Sequence, residues 1–373
     1  MKCRKVEALT PTLSPKCDRE LWFLKNIMID IDGSSGEGGG QVLRSALALS
    51  LLTGKALHLR NIRAKRSKPG LMAQHLVCVE ASAKISQAEV EGAKLGSTSL
   101  VFQPGEVRSG RYRFDIPTAG STSLVLQTIF LPLAMVEGTS QVTISGGTHV
   151  PYAPVYHYLE LQWLPHLEKI GFQVRLALEQ AGFYPAGGGC IHATIRNAGK
   201  FNPLKITDRG KLLRIQGLSG VANLDIDIAR RQKLQALRRL EPIHRETKIQ
   251  TLRLPSPVKG TFLLLLTEFE NAQCCYTSLG APGKRAEIVA DEAVDALLSF
   301  LEADGAVDPY LADQLLLPLA LAQGKSVLRT SCVTQHLVTN AEIIQRFLPV
   351  KINIEGETGQ PGLVKLTGHT INK

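Results

Sequence analysis

Short β-branched segments alternate with amphipathic helical stretches along this chain. NIMIDID (26–32), SQVTISGG (140–147) and HATIR (192–196) read as strands, and QVLRSALALSLLTG (41–54) and DEAVDALLSFLEADG (291–305) carry apolar residues at helical spacing. This alternation predicts an α/β protein in layers, with helices covering one face of several sheets. The longest apolar run, LVLQTIFLPLAMV (124–136), is broken by Gln127 and Pro132. It falls short of the roughly 20 residues that a membrane span needs, so a soluble protein is expected.

At 373 residues, 44% of them hydrophobic, the chain is long enough for more than one structural unit. Composition shifts near Thr207, and from Arg230 to Arg253 six Arg and two Lys face only Glu241 and Glu246. A solvated helix face explains that basic run at least as well as an RNA-binding surface. The pentapeptide GSTSL occurs at 96–100 and 120–124, first before strand-like VFQPG and then capping helical LVLQTIF, so the two copies read as coincidence.

The formal charge is +10, of which +3 falls within the first 27 residues. The excess favours an anionic partner, nucleic acid or nucleotide alike. Seven cysteines form no CxxC pair, which indicates neither a zinc site nor a disulfide framework and fits a reducing cytoplasm. The N-terminal segment lacks the apolar core of a secretory signal.

Several segments carry candidate chemistry. GSSGEGGGQVLRSALALS (33–50) is a glycine-rich loop running into a helix, whose backbone N–H groups and dipole suit a phosphate. Its pattern is neither GxxxxGK[ST] nor GxGxxG. Glu37 stands among those glycines, where a carboxylate repels a phosphate unless a divalent cation lies between them, making it a candidate ligand for Mg2+ or Mn2+. Taken alone, it reads more simply as an exposed loop glutamate. RAKRSKPGLMAQH (63–75) concentrates Arg63, Lys65, Arg66, Lys68 and His75 around a Pro69-Gly70 turn. So compact a cluster matches one terminal phosphate better than a duplex backbone, with Arg44 and Gln74 joining it. Lys65 and His75 are the members most readily read as ordinary surface charges.

TAGSTSLVLQ (118–127) opens with N-capping residues and sets Gln127 within the following helix. YLADQLLLPLALAQG (310–324) is an apolar helix on which Tyr310 offers a stacking face and Asp313 and Gln314 offer hydrogen bonds. His336 lies in VTQHLVTNAEIIQRFLP (333–349), between a strand-like and a helical stretch, and a neutral imidazole is a competent nucleophile near pH 7.

In order and spacing these segments, together with GFYPAGGG (182–189), resemble the RNA 3'-terminal phosphate cyclase family from Met28 to about Leu366. The resemblance implies a main domain (28–206 and 304–373) built from repeats of two helices on a four-stranded sheet. It also implies a smaller α/β domain (207–303) inserted there, and makes residues 1–27 an extension expected to be disordered. ATP and an RNA bearing a 3'-terminal phosphate are the implied substrates, with a divalent metal. His336 matches the histidine that takes AMP from ATP. Gln127, Pro154 and the run Tyr310, Leu311, Ala312, Asp313 and Gln314 match the ATP site, and Glu37 matches the metal ligand. Arg44, Arg63, Arg66 and Gln74 are expected at the RNA 3'-phosphate. Ala181 departs from the family, which has a basic residue there. The expected reaction is an ATP-dependent conversion of the 3'-phosphate to a 2',3'-cyclic phosphate. A non-catalytic RNA-processing scaffold of the same fold is the main rival, although related paralogues of that kind lack the histidine. A small-molecule transferase resembling the enolpyruvyl transferases is a third.

Overall fold

The computed structural model describes residues 28–369, Ala198 excepted. The expected extension, 1–27, lies outside the described residues. The chain begins with β1 (Ile29–Asp32), α1 (Gly40–Thr53), β2 (Leu57–Arg60), α2 (Ala73–Ser86), β3 (Glu89–Glu91) and β4 (Leu100–Gln103). These form a sheet in the order β1-β2-β4-β3, its first pair parallel and the others antiparallel.

The same pattern follows at once with β5 (Arg111–Asp115), α3 (Thr122–Ala134) and β6 (Thr139–Gly146), then α4, then β7 (Gln173–Gln180) and β8 (Gly189–Arg196). Helix α4 runs through Tyr156–Tyr158, a π-helical Leu159–Trp163 and Leu164–Ile170. The sheet order is β5-β6-β8-β7. A third pass opens with the two-residue β9 (Lys205–Ile206) and is interrupted by β10 (Leu212–Ala222), α5 (Ile226–Leu240), β11 (Lys248–Arg253), β12 (Gly260–Phe269), β13 (Gln273–Leu279) and α6 (Ala286–Glu302). It resumes with α7 (Pro309–Ala320), β14 (Lys325–Thr330), α8 (Gln335–Phe347), β15 (Lys351–Glu355) and β16 (Gly362–Thr367). Its sheet runs β9-β14-β16-β15. One topology, β-α-β-α-β-β, thus occurs three times, as expected of two helices on four strands. The two GSTSL copies are not equivalent in it, since one leads into β4 and the other contains Ser121, the N-cap of α3.

The interrupting segment has a sheet of its own, β11-β10-β12-β13, and part of its core is separate. There Ile215, Leu263 and Leu265 pack against Val289, Val294 and Leu297 of α6. Two cations of its basic run are ion-paired: Arg231 with Glu287, and Arg239 with Asp291 and Asp295.

Helices meet helices at the centre. α1 packs on α2, α3 and α8, and α8 packs on α7. Ten of the fourteen residues of α1 are buried, as befits a helix apolar on most of its surface. The few polar residues on these helices therefore face one another or a shared cavity. Among the described residues, no helix is long and apolar enough to cross a membrane.

Candidate active site

A cavity of about 820 Å³ opens where helices of all three β-α-β-α-β-β units converge. Gln41 and Arg44 enter it from α1, Gln127 from α3, Tyr310, Asp313 and Gln314 from α7, and His336 and Asn340 from α8. Pro154 reaches it from the loop before α4, and β13 supplies a further wall from Cys275 to Leu279.

Its most ordered feature is a chain of hydrogen bonds. Gln41 Nε2 lies 2.7 Å from both carboxylate oxygens of Asp313, and Asn340 Nδ2 donates to the same carboxylate at 3.0 Å. Asn340 Oδ1 accepts from Ser45 at 2.7 Å. A carboxylate surrounded by amide donors fixes which way each amide points. Gln41 Oε1 is thereby turned to His336 Nδ1, 2.7 Å away. A carbonyl oxygen only accepts, so Nδ1 carries the hydrogen and Nε2 keeps its lone pair. Burial lowers the pKa of His336, and the Arg44 and Arg66 cations push it the same way against the pull of Asp313. Burial in turn pushes the Asp313 carboxyl up, opposed by His336 and the two amides.

Nε2 points toward the glycine loop, with Glu37 Oε1 3.6 Å away. The loop docks on the helix bearing His336: Glu37 N–H donates to Thr339 Oγ1 at 3.0 Å, and Gly36 adopts φ of 58°, which leaves no room for a side chain beside Thr339. Glu37 Oε2 accepts from Gly39 N–H at 2.8 Å, and Oε1 pairs with the Arg66 guanidinium. That Oε1 is buried and accepts no well-formed hydrogen bond. A buried hard oxygen beside a phosphate-type loop suits Mg2+ or Mn2+, which would draw its other oxygens from a polyphosphate and water. The residues present fit such an ion.

Among the described residues, no hydrogen bond or ion pair engages the Arg44 guanidinium, and burial lowers its pKa. A cation so placed favours an anion from outside the protein. His75 lies beside it over Gly40, and burial followed by the Arg44 and Arg63 charges brings its pKa down to about 3. His75 is therefore a neutral member of the site, not the surface charge expected of it. Lys65 is an exposed cation, as expected, although its Nζ donates to Gly36 O at 2.7 Å and its stem covers Gly38. Arg63 is committed locally, with Nη1 donating to the carbonyls of Lys68 and Gly70 at 2.7 and 2.9 Å. Gln74 accepts from Ser121 N–H at 2.7 Å, tying this segment to the start of α3.

On the other side, Gln127 Nε2 donates to Gln314 Oε1 at 2.8 Å, and the Tyr310 ring is 59% exposed at the cavity wall. Leu311 and Ala312 are fully buried and do not line the cavity. Tyr310 is positioned by Asp308, the N-cap of α7, which accepts from the N–H groups of Tyr310 and Leu311 at 3.1 and 2.9 Å. Burial raises the pKa of Asp308 to about 6. Gln41, Asn340 and Asp308 were not singled out in the sequence. Asn340 had a usable signal, one helical turn beyond His336, and Asp308-Pro309 is an N-cap pattern.

An imidazole nitrogen facing a glycine loop, with an arginine beside it that has no partner among the described residues, is an arrangement suited to phosphate groups. The sequence matches the family model described as RNA 3'-terminal phosphate cyclase over residues 35–354, and the chain belongs to that family. Proteins named RNA 3'-terminal phosphate cyclase are 42% identical in Gloeothece citriformis over 337 residues (88% of this chain, 96% of that one), and 45% in Ralstonia nicotianae over 332 (88% and 94%). In Archaeoglobus fulgidus one is 43% identical over 329 residues (88% and 98%). The solved enolpyruvyl transferase NikO from Streptomyces tendae aligns at 7% identity and TM-score 0.36, over 92% of this chain and 48% of that one, too low a likeness to bear on fold or function.

Proposed function

We propose that this protein is an ATP-dependent RNA 3'-phosphate cyclase working through a covalent histidinyl-AMP. The observation that carries the reading is the Gln41 hydrogen bond, which leaves His336 Nε2 unprotonated and turned toward the glycine loop.

Three transfers follow. The Nε2 lone pair bonds to the α-phosphorus of ATP, the α–β bridging bond breaks and pyrophosphate leaves. An oxygen of the RNA 3'-phosphate then takes the AMP, and the P–N bond breaks to restore the imidazole. Finally the vicinal 2'-oxygen attacks the activated RNA phosphorus, its proton passes to solvent, and AMP departs from a 2',3'-cyclic phosphate. Activation is needed because a phosphate monoester has no good leaving group, and AMP provides one.

Arg44 and Arg66 offset the charge gathered at phosphorus, with Arg63 and Gln74 at the RNA end. Tyr310 and Pro154 border the adenine, while Gln127, Asp313 and Gln314 bound the nucleotide side. Leu311 and Ala312 serve through their backbone and the packing of α7. Glu37 would hold a Mg2+ or Mn2+ ion, which when bound neutralises phosphate charge. Residues 207–303 form a domain inserted in a main domain of 28–206 and 304–373. The activity belongs to the cytoplasm, in keeping with five free cysteines among the described residues.

The test is labelling. Incubation with α-labelled ATP and a divalent metal is expected to leave AMP on His336, located by mass spectrometry under neutral or alkaline conditions that preserve a P–N bond, and to pass label only to RNA ending in a 3'-phosphate. A His336→Ala protein should take no AMP, yet cyclise RNA supplied as its 3'-adenylylated form. AMP on a lysine, or full activity in His336→Ala, overturns the mechanism. RNA binding without AMP transfer identifies the scaffold instead.

A further inference from the structure

The outer face of the β5-β6-β8-β7 sheet carries a cluster that the proposed reaction does not use. Cys190 and His192 are two residues apart on β8, so both side chains project from that face while Ile191 between them enters the core. A bulge in β7, between Leu178 and Gln180, sets the extra residue Glu179 next to Cys190. Glu179 Oε2 lies 2.7 Å from His192 Nε2, and the ligand atoms of Glu179, Cys190 and His192 are all within 4.8 Å of one another. It is the one such group among the described residues. None of the three lines the cavity around His336.

We propose that Glu179, Cys190 and His192 form a binding site for a zinc-like divalent cation. A thiolate, an imidazole and a carboxylate make a borderline-soft donor set, which selects Zn2+ over Mg2+ or Ca2+. The partners behind the ligands suit the role. Thr143, paired with His192 across β6 and β8, places Oγ1 3.1 Å from His192 Nδ1, so it can take the Nδ1 hydrogen and leave Nε2 to the metal. Cys190 is only 5% exposed, whereas the Glu179 and His192 side chains are 57% and 45% exposed and free to adjust. Tetrahedral zinc sets its donor atoms roughly 3.3–3.8 Å apart, so the histidine–carboxylate pair need separate by less than about 1 Å. On binding, the Cys190 thiol gives its proton to the buffer and its sulfur bonds to the metal. Three protein ligands leave a fourth position for water or a small anion.

The site sits at the base of the Gly182–Gly189 loop, where Gln180 Nε2 donates to Gly188 O at 2.7 Å. Cysteine spacing predicted no zinc site because the ligand set forms across two strands, with a single cysteine in it.

The experiment titrates the full-length protein with Co2+, following the thiolate-to-cobalt charge-transfer band, and with Zn2+ against a chromophoric chelator. One equivalent with a thiolate band is expected. Cys190→Ser should abolish the band, and the exposed-site changes His192→Gln and Glu179→Gln should weaken binding about tenfold or more without unfolding the protein. Cys332→Ser should leave the band intact. Metal held only by Glu37 and His336 gives no thiolate band, so absence of the band overturns the proposal. So does a band that survives Cys190→Ser, or one untouched by both His192→Gln and Glu179→Gln.

Discussion

Gln41 Oε1 and His336 Nδ1 stand 2.7 Å apart, and this bond determines which imidazole nitrogen keeps its lone pair. The orientation of Gln41 is itself dictated by Asp313, whose two carboxylate oxygens both accept from Gln41 Nε2. Asp313 thus reaches His336 through an amide and avoids placing a full charge against it. A direct carboxylate contact would raise the imidazole pKa and favour the protonated, non-nucleophilic form.

Gln41→Leu should therefore lower AMP transfer by about 10- to 100-fold, the range for losing a partner that orients a functional imidazole. Gln41→Glu should instead shift the acid limb of the pH–rate profile upward, since a carboxylate stabilises the imidazolium. An unchanged profile in both would show that the tautomer is set elsewhere.

The pairing of Glu37 with Arg66 next to His336 separates Arg66 from Arg63, whose Nη1 serves local carbonyls. Glu37→Gln should raise the metal concentration needed for half-maximal AMP transfer. Arg66→Ala should impair AMP transfer itself by roughly 100-fold or more. Arg63→Ala should spare that step and slow transfer to RNA. Single-turnover assays of each step distinguish these outcomes, and equal losses in both arginine variants would contradict the division.

Gly36 holds a left-handed backbone where a Cβ would strike Thr339, one turn from His336. Gly36→Ala should cost at least about 1–2 kcal/mol in loop conformation and displace Glu37 with it. AMP transfer should fall sharply while thermal stability drops only modestly. Normal activity would show that the loop does not need this docking.

His149 and His157 are buried 2.9 Å apart beneath Phe183 and Phe262. Burial lowers both, His157 to about 4. Their folded pKa lies below the unfolded value near 6.5, so their contribution is intact above that pH and is lost as pH falls from there toward 4. His157 alone should remove about 2 kcal/mol of stability at pH 5 relative to pH 7. Urea unfolding at both pH values checks this, with His157→Gln expected to flatten the slope.

The sequence made strands and amphipathic helices legible, because alternation and 3.6-residue spacing are local properties. The threefold β-α-β-α-β-β pattern was not, since the three units share topology and burial without sharing residues. Glu37 and His336 stood out, one as a carboxylate among glycines and the other by its flanks. Gln41 stayed hidden as one polar residue near the start of an apolar helix, because its meaning depends on a partner 295 positions away. His75 was misread as surface for a related reason: charge density near a Pro-Gly turn resembles surface until the glycine loop is seen to lie beside it. The basic run around Arg231 and Arg239 gains its counter-charges only once α6 is laid beside α5.

The interruption between β9 and α7 bears on the order in which the molecule can assemble. The first two units are continuous in sequence, so each can close its sheet soon after synthesis from contacts of modest separation. β9 cannot pair until the chain has passed through the whole inserted segment, because Ile206 lies opposite Leu328. That closure carries the greater loop entropy and completes late. His336 lies beyond β14, so its imidazole reaches the cavity only after the glycine loop and the arginines have somewhere to stand.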